Sequence, residues 1–105
     1  METIAFVDGI RNTGIIDSKD MKKYMEKISS IGNLYQIEIT HKGMIQDEEK
    51  NKFPVVYYND AIFETLENEG QYRTAYNDFL KIEILDREKQ MVVCYGGSIK
   101  ADYSE

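Results

Sequence analysis

The sequence is poor in the residues that most often build reactive sites. Its 105 residues include one cysteine, one histidine, one proline and no tryptophan. A single cysteine excludes an intrachain disulfide, which fits a reducing compartment and equally an envelope protein that never used disulfides. No apolar run approaches the ~20 residues needed to cross a bilayer, and no secretory signal pattern is visible. We therefore expect the chain, as it stands, to be soluble.

The balance of charge is acidic. Thirteen lysines and arginines stand against 19 aspartates and glutamates, which gives a net charge of −6. A protein that coats nucleic acid needs a basic stripe, and this sequence has none. Hydrophobic residues make up 42% and charged residues 30%, a balance typical of globular proteins. The sequence predicts a single domain over residues 1–105. Its acidic surface serves solubility, imitates DNA or meets a basic partner, and plain solubility is favoured.

Two helices are predicted near the N-terminus. Residues 3–11 place apolar side chains at helical spacing, and Asn12-Thr13-Gly14 ends the pattern. This segment allows two interpretations, the stub of a longer helix within residues 1–14 or a short, frayed first turn. The second helix is clearer, because Asp17 can cap it and Gly32-Asn33 can close it. Its apolar stripe consists of Met21, Tyr24, Met25, Ile28 and Ile31.

Four strands are predicted in the rest of the chain. Strict alternation over residues 34–41 and again over residues 79–85 is typical of half-buried strands. Residues 55–58 follow Pro54 and suit an edge strand, because proline cannot donate to a ladder. Residues 91–95 form the last strand, and the short polar turn before them predicts an antiparallel hairpin.

A third helix lies between the two pairs of strands. Asn59 or Asp60 can cap it, and Gly70 can end it. We expect residues 42–52 to be a polar, accessible loop and residues 71–78 to be an irregular connection. The predicted order is helix, helix, strand, strand, helix, strand, strand. This order indicates an α+β domain with helices packed on one face of a small antiparallel sheet.

The sole histidine and the sole cysteine are the first candidates for chemistry. His41 ends the apolar face of its strand, which favours a structural histidine over a catalytic one. Cys94 lies in mid-strand, where a small thiol packs well, and no helix N-terminus or cation is near it in sequence to activate it. We expect a packed thiol. A Cys–His pair would need both side chains and a carboxylate in one cleft.

Other polar clusters fit structural roles better than chemical ones. The run Asp47-Glu48-Glu49 lacks the alternate spacing and the glycine of a calcium loop. Asp17 and Asp20 suit a helix start rather than a pair of acid–base carboxylates. Gly96-Gly97-Ser98 follows a strand but precedes no phosphate-binding helix, so we expect a bend at the strand end. The sequence therefore predicts no catalytic, cofactor-binding or metal-binding residue.

Tyrosines are abundant, with eight in the chain. Six of them could form an exposed aromatic patch, which would indicate an interface. Their alternation predicts instead that at least half lie in the core. These six are Tyr57, Tyr58, Tyr72, Tyr76, Tyr95 and Tyr103.

Four stretches together resemble one group of proteins. FVDGIRNTGIID is followed by an amphipathic helix and by GNLYQIEITH, and NEGQYRTAYNDFLKIEI and VCYGGSIK come later. This order resembles small envelope proteins of clostridia-like Gram-positive bacteria. Those proteins are similar to the minor pilins or pseudopilins encoded beside tight-adherence and type IV pilus machinery. The resemblance covers most of the chain, and its motifs are structural rather than catalytic.

The resemblance implies a role outside catalysis. In such proteins an N-terminal hydrophobic helix, placed directly before the FVD segment, anchors the subunit in the membrane and later packs in a filament. That anchor is absent here, so the resemblance implies that Met1 replaces it and that residues 1–14 hold its stub. It predicts a non-enzymatic structural or interaction protein, the soluble domain of a pilin-like surface subunit at the cell envelope, which binds protein partners or self-assembles. The alternative is a cytoplasmic acidic adaptor or phage-type inhibitor that binds a basic protein surface.

Overall fold

The computed structural model describes residues 2–30 and 34–102. The described residues form three helices and six strands. In chain order these are α1 (Glu2–Thr13), β1 (Ile15–Asp17), α2 (Ser18–Ser29), β2 (Leu34–Gln46), β3 (Lys52–Tyr57), α3 (Asn59–Glu69), β4 (Gln71–Arg73), β5 (Phe79–Asp86) and β6 (Met91–Ser98). The predicted α+β class is confirmed, and the short strands β1 and β4 extend the predicted order.

A four-stranded antiparallel sheet, in the order β3-β2-β5-β6, carries the core on one face. Leu80, Ile82 and Ile84 of β5 are fully buried, and Ile39 of β2 is 1% exposed. The alternation of apolar residues in the sequence therefore predicts the inner face of the sheet correctly. All three helices add apolar side chains to this face, and each fully buried one contributes roughly 1.5–3 kcal/mol. These side chains are Val7, Ile10, Met21, Tyr24, Ile28, Ile62 and Leu66.

Residues from two distant segments hold the C-terminal end of α1 against β6. Arg11 Nε donates to the carbonyl of Ser98 at 2.8 Å, and Arg11 Nη1 donates to Asp8 Oδ1 at 3.0 Å. The Tyr95 hydroxyl donates to the same carboxylate oxygen at 2.9 Å. A Cβ on Gly97 would lie 2.6 Å from the Arg11 guanidinium, so glycine leaves room for that side chain. The prediction that the last strand ends before its glycines is wrong, because β6 continues through them beneath Arg11.

The ends of the helices largely follow the sequence signals. Asp17 Oδ1 accepts from two amides of the first turn of α2, at 2.8 and 3.4 Å, which confirms the predicted cap. Gly70 ends α3 with a φ of 78°, also as predicted. Ile31 and the predicted closing pair Gly32-Asn33 lie outside the described residues. Among the described helices, none has the length and apolar character to span a bilayer.

The start of α3 differs from the prediction. Tyr58 is the N-cap residue and makes no capping bond with its side chain, so neither Asn59 nor Asp60 caps the helix. Asn59 instead reaches the backbone of β2, where its Oδ1 accepts from the Ile39 amide at 2.7 Å and its Nδ2 donates to the Ile37 carbonyl at 2.8 Å. The prediction failed because a tertiary partner outcompetes the local cap.

The prediction of a loop over residues 42–52 is wrong for both ends of the segment, which are strands, whereas its exposure is as predicted. β2 continues to Gln46 and β3 begins at Lys52, so only a tight turn separates them. Asp47 closes this turn: its amide donates to the Asn51 carbonyl at 3.0 Å and its carboxylate accepts from the Asn51 amide at 2.7 Å. The segment is polar, yet pairing with β3 supplies the hydrogen bonds that make it a strand.

The far half of this hairpin projects beyond the sheet. β5 pairs with β2 only as far as Lys42, whereas β3 stays paired with β2 as far as Gln46. We call residues 43–55 the ribbon. Within it the structure has two strands rather than the four of the main sheet.

The start of the predicted irregular connection, residues 71–78, is also ordered. Gln71–Arg73 forms β4, which pairs antiparallel with β1 and places Tyr72 opposite Ile16. Both side chains are buried. Strands of three residues are too short to show a period in the sequence, which is why the pair escapes prediction.

Candidate functional site

A groove of about 550 Å³ lies between the ribbon, α3 and β4. Its ribbon wall is apolar and includes Ile45 and Val55, while Thr65 and Glu69 of α3 line the opposite wall. Buried His41 lies between the two walls. Because this groove joins the sole histidine to an apolar surface, we treat it as the candidate functional site.

The ribbon exposes apolar side chains on both of its faces. Met44 is 55% exposed, Ile45 is 49% exposed and Phe53 is 43% exposed. Ile45 lies opposite Phe53 on one face, and Met44 lies opposite Pro54 on the other. A projecting hairpin with apolar pairs on both faces is typical of a surface that a partner covers.

His41 is 5% exposed and has a hydrogen-bond partner for each ring nitrogen. Nδ1 lies 2.6 Å from the Tyr72 hydroxyl, and Nε2 lies 2.7 Å from Asp78 Oδ2. The ring also stacks on Tyr57, with centroids 5.5 Å apart. We call the three hydrogen-bonded side chains, His41, Tyr72 and Asp78, the histidine tie.

The chemistry of the partners assigns the protons in the histidine tie. The Asp78 carboxylate can only accept, so Nε2 carries a proton and donates it. In a neutral ring Nδ1 then accepts from the Tyr72 hydroxyl. Asp78 Oδ2 also accepts from the Ala75 amide at 2.9 Å. Every buried side-chain polar atom in the described part of the chain has a hydrogen-bond partner.

Tyr72, His41 and Asp78 are hydrogen-bonded in the same order as the nucleophile, the base and the orienting carboxylate of a catalytic triad. Burial raises the pKa of Tyr72 to about 12, and the charges of Tyr57 and Asp78 act in the same direction. An activated nucleophile needs the opposite shift, toward easier loss of the proton. Tyr72 therefore keeps its proton, and its hydroxyl donates to Nδ1 of the neutral ring.

The histidine tie joins three segments at the root of the ribbon. His41 comes from β2, Tyr72 from β4, and Asp78 from the connection before β5. A Cβ on Gly43 would lie 3.0 Å from Asp78 Oδ2, so glycine gives the carboxylate room to reach the ring. The carbonyl of Asp78 accepts from the Ile99 amide at 2.7 Å, which links the segment after β6 to the same point.

Cys94 is not the packed thiol that the sequence predicts, because the structure exposes it. It lies opposite Glu83 in the ladder. Glu83 stands between Ile82 and Ile84, whose side chains are fully buried on the inner face. Alternation therefore places Cys94 on the outer face of the sheet, away from His41. The cleft that a Cys–His pair would need is not formed.

The other sequence candidates lie apart from one another. Asp47-Glu48-Glu49 are exposed at the turn of the ribbon, and Asp17 caps α2. Among the described residues, no three or more histidine, cysteine, aspartate or glutamate side chains are grouped so that they could hold a metal ion. Gly96-Gly97-Ser98 lies within β6, at the end of α1.

The tyrosines divide as their alternation predicts. Tyr72 is buried, Tyr57 and Tyr95 are partly buried, and Tyr58 and Tyr76 are exposed. Tyr103 lies outside the described residues. More than half of those described therefore contribute to the core.

Sequence reasoning missed the partners of His41. Tyr72 and Asp78 are 31 and 37 positions away from it. The available signal was indirect: a histidine on an apolar face must satisfy two nitrogens, and a tyrosine and an aspartate are suitable partners. No spacing in the sequence says which ones.

Comparison with known proteins gives no match to a family model, to a curated protein or to a solved structure. Function is therefore inferred from the groove, the ribbon and the contacts that support them.

Proposed function

We propose that this chain is a non-enzymatic interaction protein, the soluble domain of a membrane-anchored, pilin-like surface subunit, and that it binds a protein partner through its ribbon. The ribbon is the observation that carries this proposal. It projects beyond the sheet with Met44, Ile45 and Phe53 about half exposed. A two-stranded ribbon has few contacts of its own, and a partner that covers its apolar faces would stabilise it.

The histidine tie supports this role because it makes the root of the ribbon rigid. His41 lies two residues before the ribbon, and its two hydrogen bonds fix that position to β4 and to the connection before β5. A surface held in its bound shape loses less entropy when a partner arrives. The buried polar network thus favours binding by holding the root of the ribbon in place.

The surface-subunit part of the proposal is supported by contacts between two of the motifs that carry the resemblance. Asp8 and Arg11 of FVDGIRNTG contact Tyr95 and Ser98 of VCYGGSIK. The hydrogen bond to the Asp8 carboxylate, together with burial, raises the pKa of Tyr95, so the phenol stays protonated as the donor. These motifs hold α1 against the sheet. A membrane helix that continues into α1 would need this attachment to the soluble domain.

The charge of α3 favours a second candidate function, an acidic cytoplasmic adaptor or inhibitor. The helix carries four carboxylates and no lysine or arginine. Such a surface suits a basic protein groove. The acidic residues are Asp60, Glu64, Glu67 and Glu69.

Two matched substitutions in the native host test the proposed function. Ile45 and Val92 are 49% and 48% exposed, on the ribbon and on β6 respectively. We expect Ile45→Asp to abolish the complex that is trapped by cross-linking in living cells, while Val92→Asp leaves it intact. Thermal unfolding of the purified variants checks that both fold. Equal yields of the complex from the two folded variants would contradict a role for the ribbon.

A further inference from the structure

We infer that the groove beside the ribbon takes an extended segment of the partner, apolar and basic in composition, which pairs with the open edge of β2 at residues 43–46. This inference rests on the proposed function, because it names the chemistry of the partner that the ribbon binds.

The two edges of β2 have different neighbours along the length of the strand. On the side of β3, the part of β2 that β3 does not reach is occupied by the Asn59 side chain, which bonds Ile37 and Ile39 as a neighbouring strand would. On the side of β5, pairing stops at Lys42. From residue 43 to residue 46 the structure shows no paired strand on that side within the described parts of the chain.

An open edge of this kind can bind another strand. In an antiparallel pair every second residue directs its N–H and C=O away from its partner, so two of residues 43–46 present a donor and an acceptor outward. A segment of four extended residues covers ~13 Å and could pair along this length. Strand addition of this type obtains affinity from the main chain and specificity from alternate side chains.

The surroundings of the edge define those alternate side chains. Ile45 and Val55 line the groove on one face of the ribbon. Met44 also lines the groove at this edge, and its position in the ladder places its exposed side chain on the other face. A strand added here places successive side chains on opposite faces. Apolar residues of the partner would therefore contact Ile45 on the inner face and Met44 on the outer one.

Charge decides in favour of a basic partner and against a second copy of this chain. Glu69 lines the groove, and α3 carries three further carboxylates without a compensating cation. Arg73 also lines the groove and keeps its positive charge, because its partner at 3.2 Å from Nη2, the Gln71 amide oxygen, is neutral. The four carboxylates of α3 outnumber this one cation. A second copy would bring the same acidic helix and a net charge of −6, whereas lysine or arginine side chains would meet complementary charge.

The probe for a test is an eight-residue peptide with four central valines between pairs of lysines, blocked at both ends, so that valines lie on both faces of the extended chain. It is titrated into the isotopically labelled chain. We expect amide shifts confined to residues 43–46 and the facing groove walls. The control peptide has the same side chains but is methylated on every backbone nitrogen, so it keeps the charge and loses the donors. It should bind about tenfold more weakly or worse, because several main-chain hydrogen bonds are lost.

Two variants test the contribution of charge in the same titration. Glu69→Gln should weaken binding by about threefold, as expected for one exposed charge pair. Glu88→Gln, an equal change of charge in the turn before β6, should leave binding unchanged. Equal affinity for the parent and methylated peptides, or shifts scattered over the surface, would overturn the inference. If the peptide fails but Ile45→Asp still abolishes the cellular complex, the ribbon binds a partner of different chemistry and the proposed function stands.

Discussion

His41 has two ring nitrogens, and burial denies both of them water. Each therefore needs a partner within the protein, and a buried polar group left without one costs about 1–3 kcal/mol. Tyr72 and Asp78 satisfy both nitrogens at 2.6 and 2.7 Å. The sequence predicts that His41 points toward the core, because alternation from Ile37 and Ile39 fixes its face. It does not predict the partners, since hydrogen bonds between distant segments leave no period.

The raised pKa of Tyr72 predicts a loss of stability in alkali. Burial raises this pKa to about 12, above the ~10 of an unfolded chain. The stabilisation is therefore complete below pH ~10 and is lost as the pH rises through ~12, in total about 2–3 kcal/mol. Tyr72→Phe has no such proton to lose. Urea unfolding between pH 9 and 12 should show the free energy of unfolding of the wild type falling more steeply than that of Tyr72→Phe.

Tyr76→Phe is the control for this alkaline transition. The Tyr76 ring is 59% exposed, so the variant should retain the steep wild-type fall between pH 9 and 12. Parallel curves for the wild type and Tyr72→Phe would contradict the assignment of the transition to the histidine tie.

At the scale of elements, β2 has different neighbours along its length. On the side of β3, the Asn59 side chain takes the place of a neighbouring strand. Asn59 bonds Ile37 and Ile39 where β3 has not yet begun. Asn59→Ala removes both bonds and should cost about 1–3 kcal/mol in the free energy of unfolding measured by urea denaturation. Asn59→Asp keeps the acceptor for the Ile39 amide and should cost less than alanine.

Asn68→Ala is the matched control for Asn59→Ala, because Asn68 is exposed on the same helix. Its effect should stay within about 0.5 kcal/mol, as is usual for surface substitutions. If Asn59→Ala changes the free energy of unfolding as little as Asn68→Ala, Asn59 does not substitute for a strand. The backbone of Ile37 and Ile39 is then satisfied by water.

How far an element could be predicted depends on how local its causes are. α2 was predictable, since Asp17 caps it and its apolar stripe faces the core. The alternation of β5 was equally clear. The ribbon was not, because its outer half is polar and becomes a strand only through pairing with β3. Cys94 was assigned to the interior for a related reason: alternation gives two faces, but the choice of face at β6 depends on its pairing with β5.

At the scale of the whole molecule, the α+β class followed from the order of the elements, whereas the sheet order β3-β2-β5-β6 did not. Periodicity shows that a strand has a buried face, but it does not identify the neighbouring strand. The central pairing of β2 with β5 spans α3 and β4, so it arises from packing of the complete chain. The pilin-like role likewise stays a prediction, because it depends on a resemblance and on where the protein resides.

Labelling of Cys94 in intact cells of the native host tests that location most directly. The thiol is exposed on the outer face of the sheet, away from the ribbon. A membrane-impermeant maleimide should label the wild-type protein to the same extent in intact and gently lysed cells, and should not label Cys94→Ser in either. This result is expected for a surface subunit. Labelling only after lysis would contradict the surface role and favour the acidic cytoplasmic adaptor.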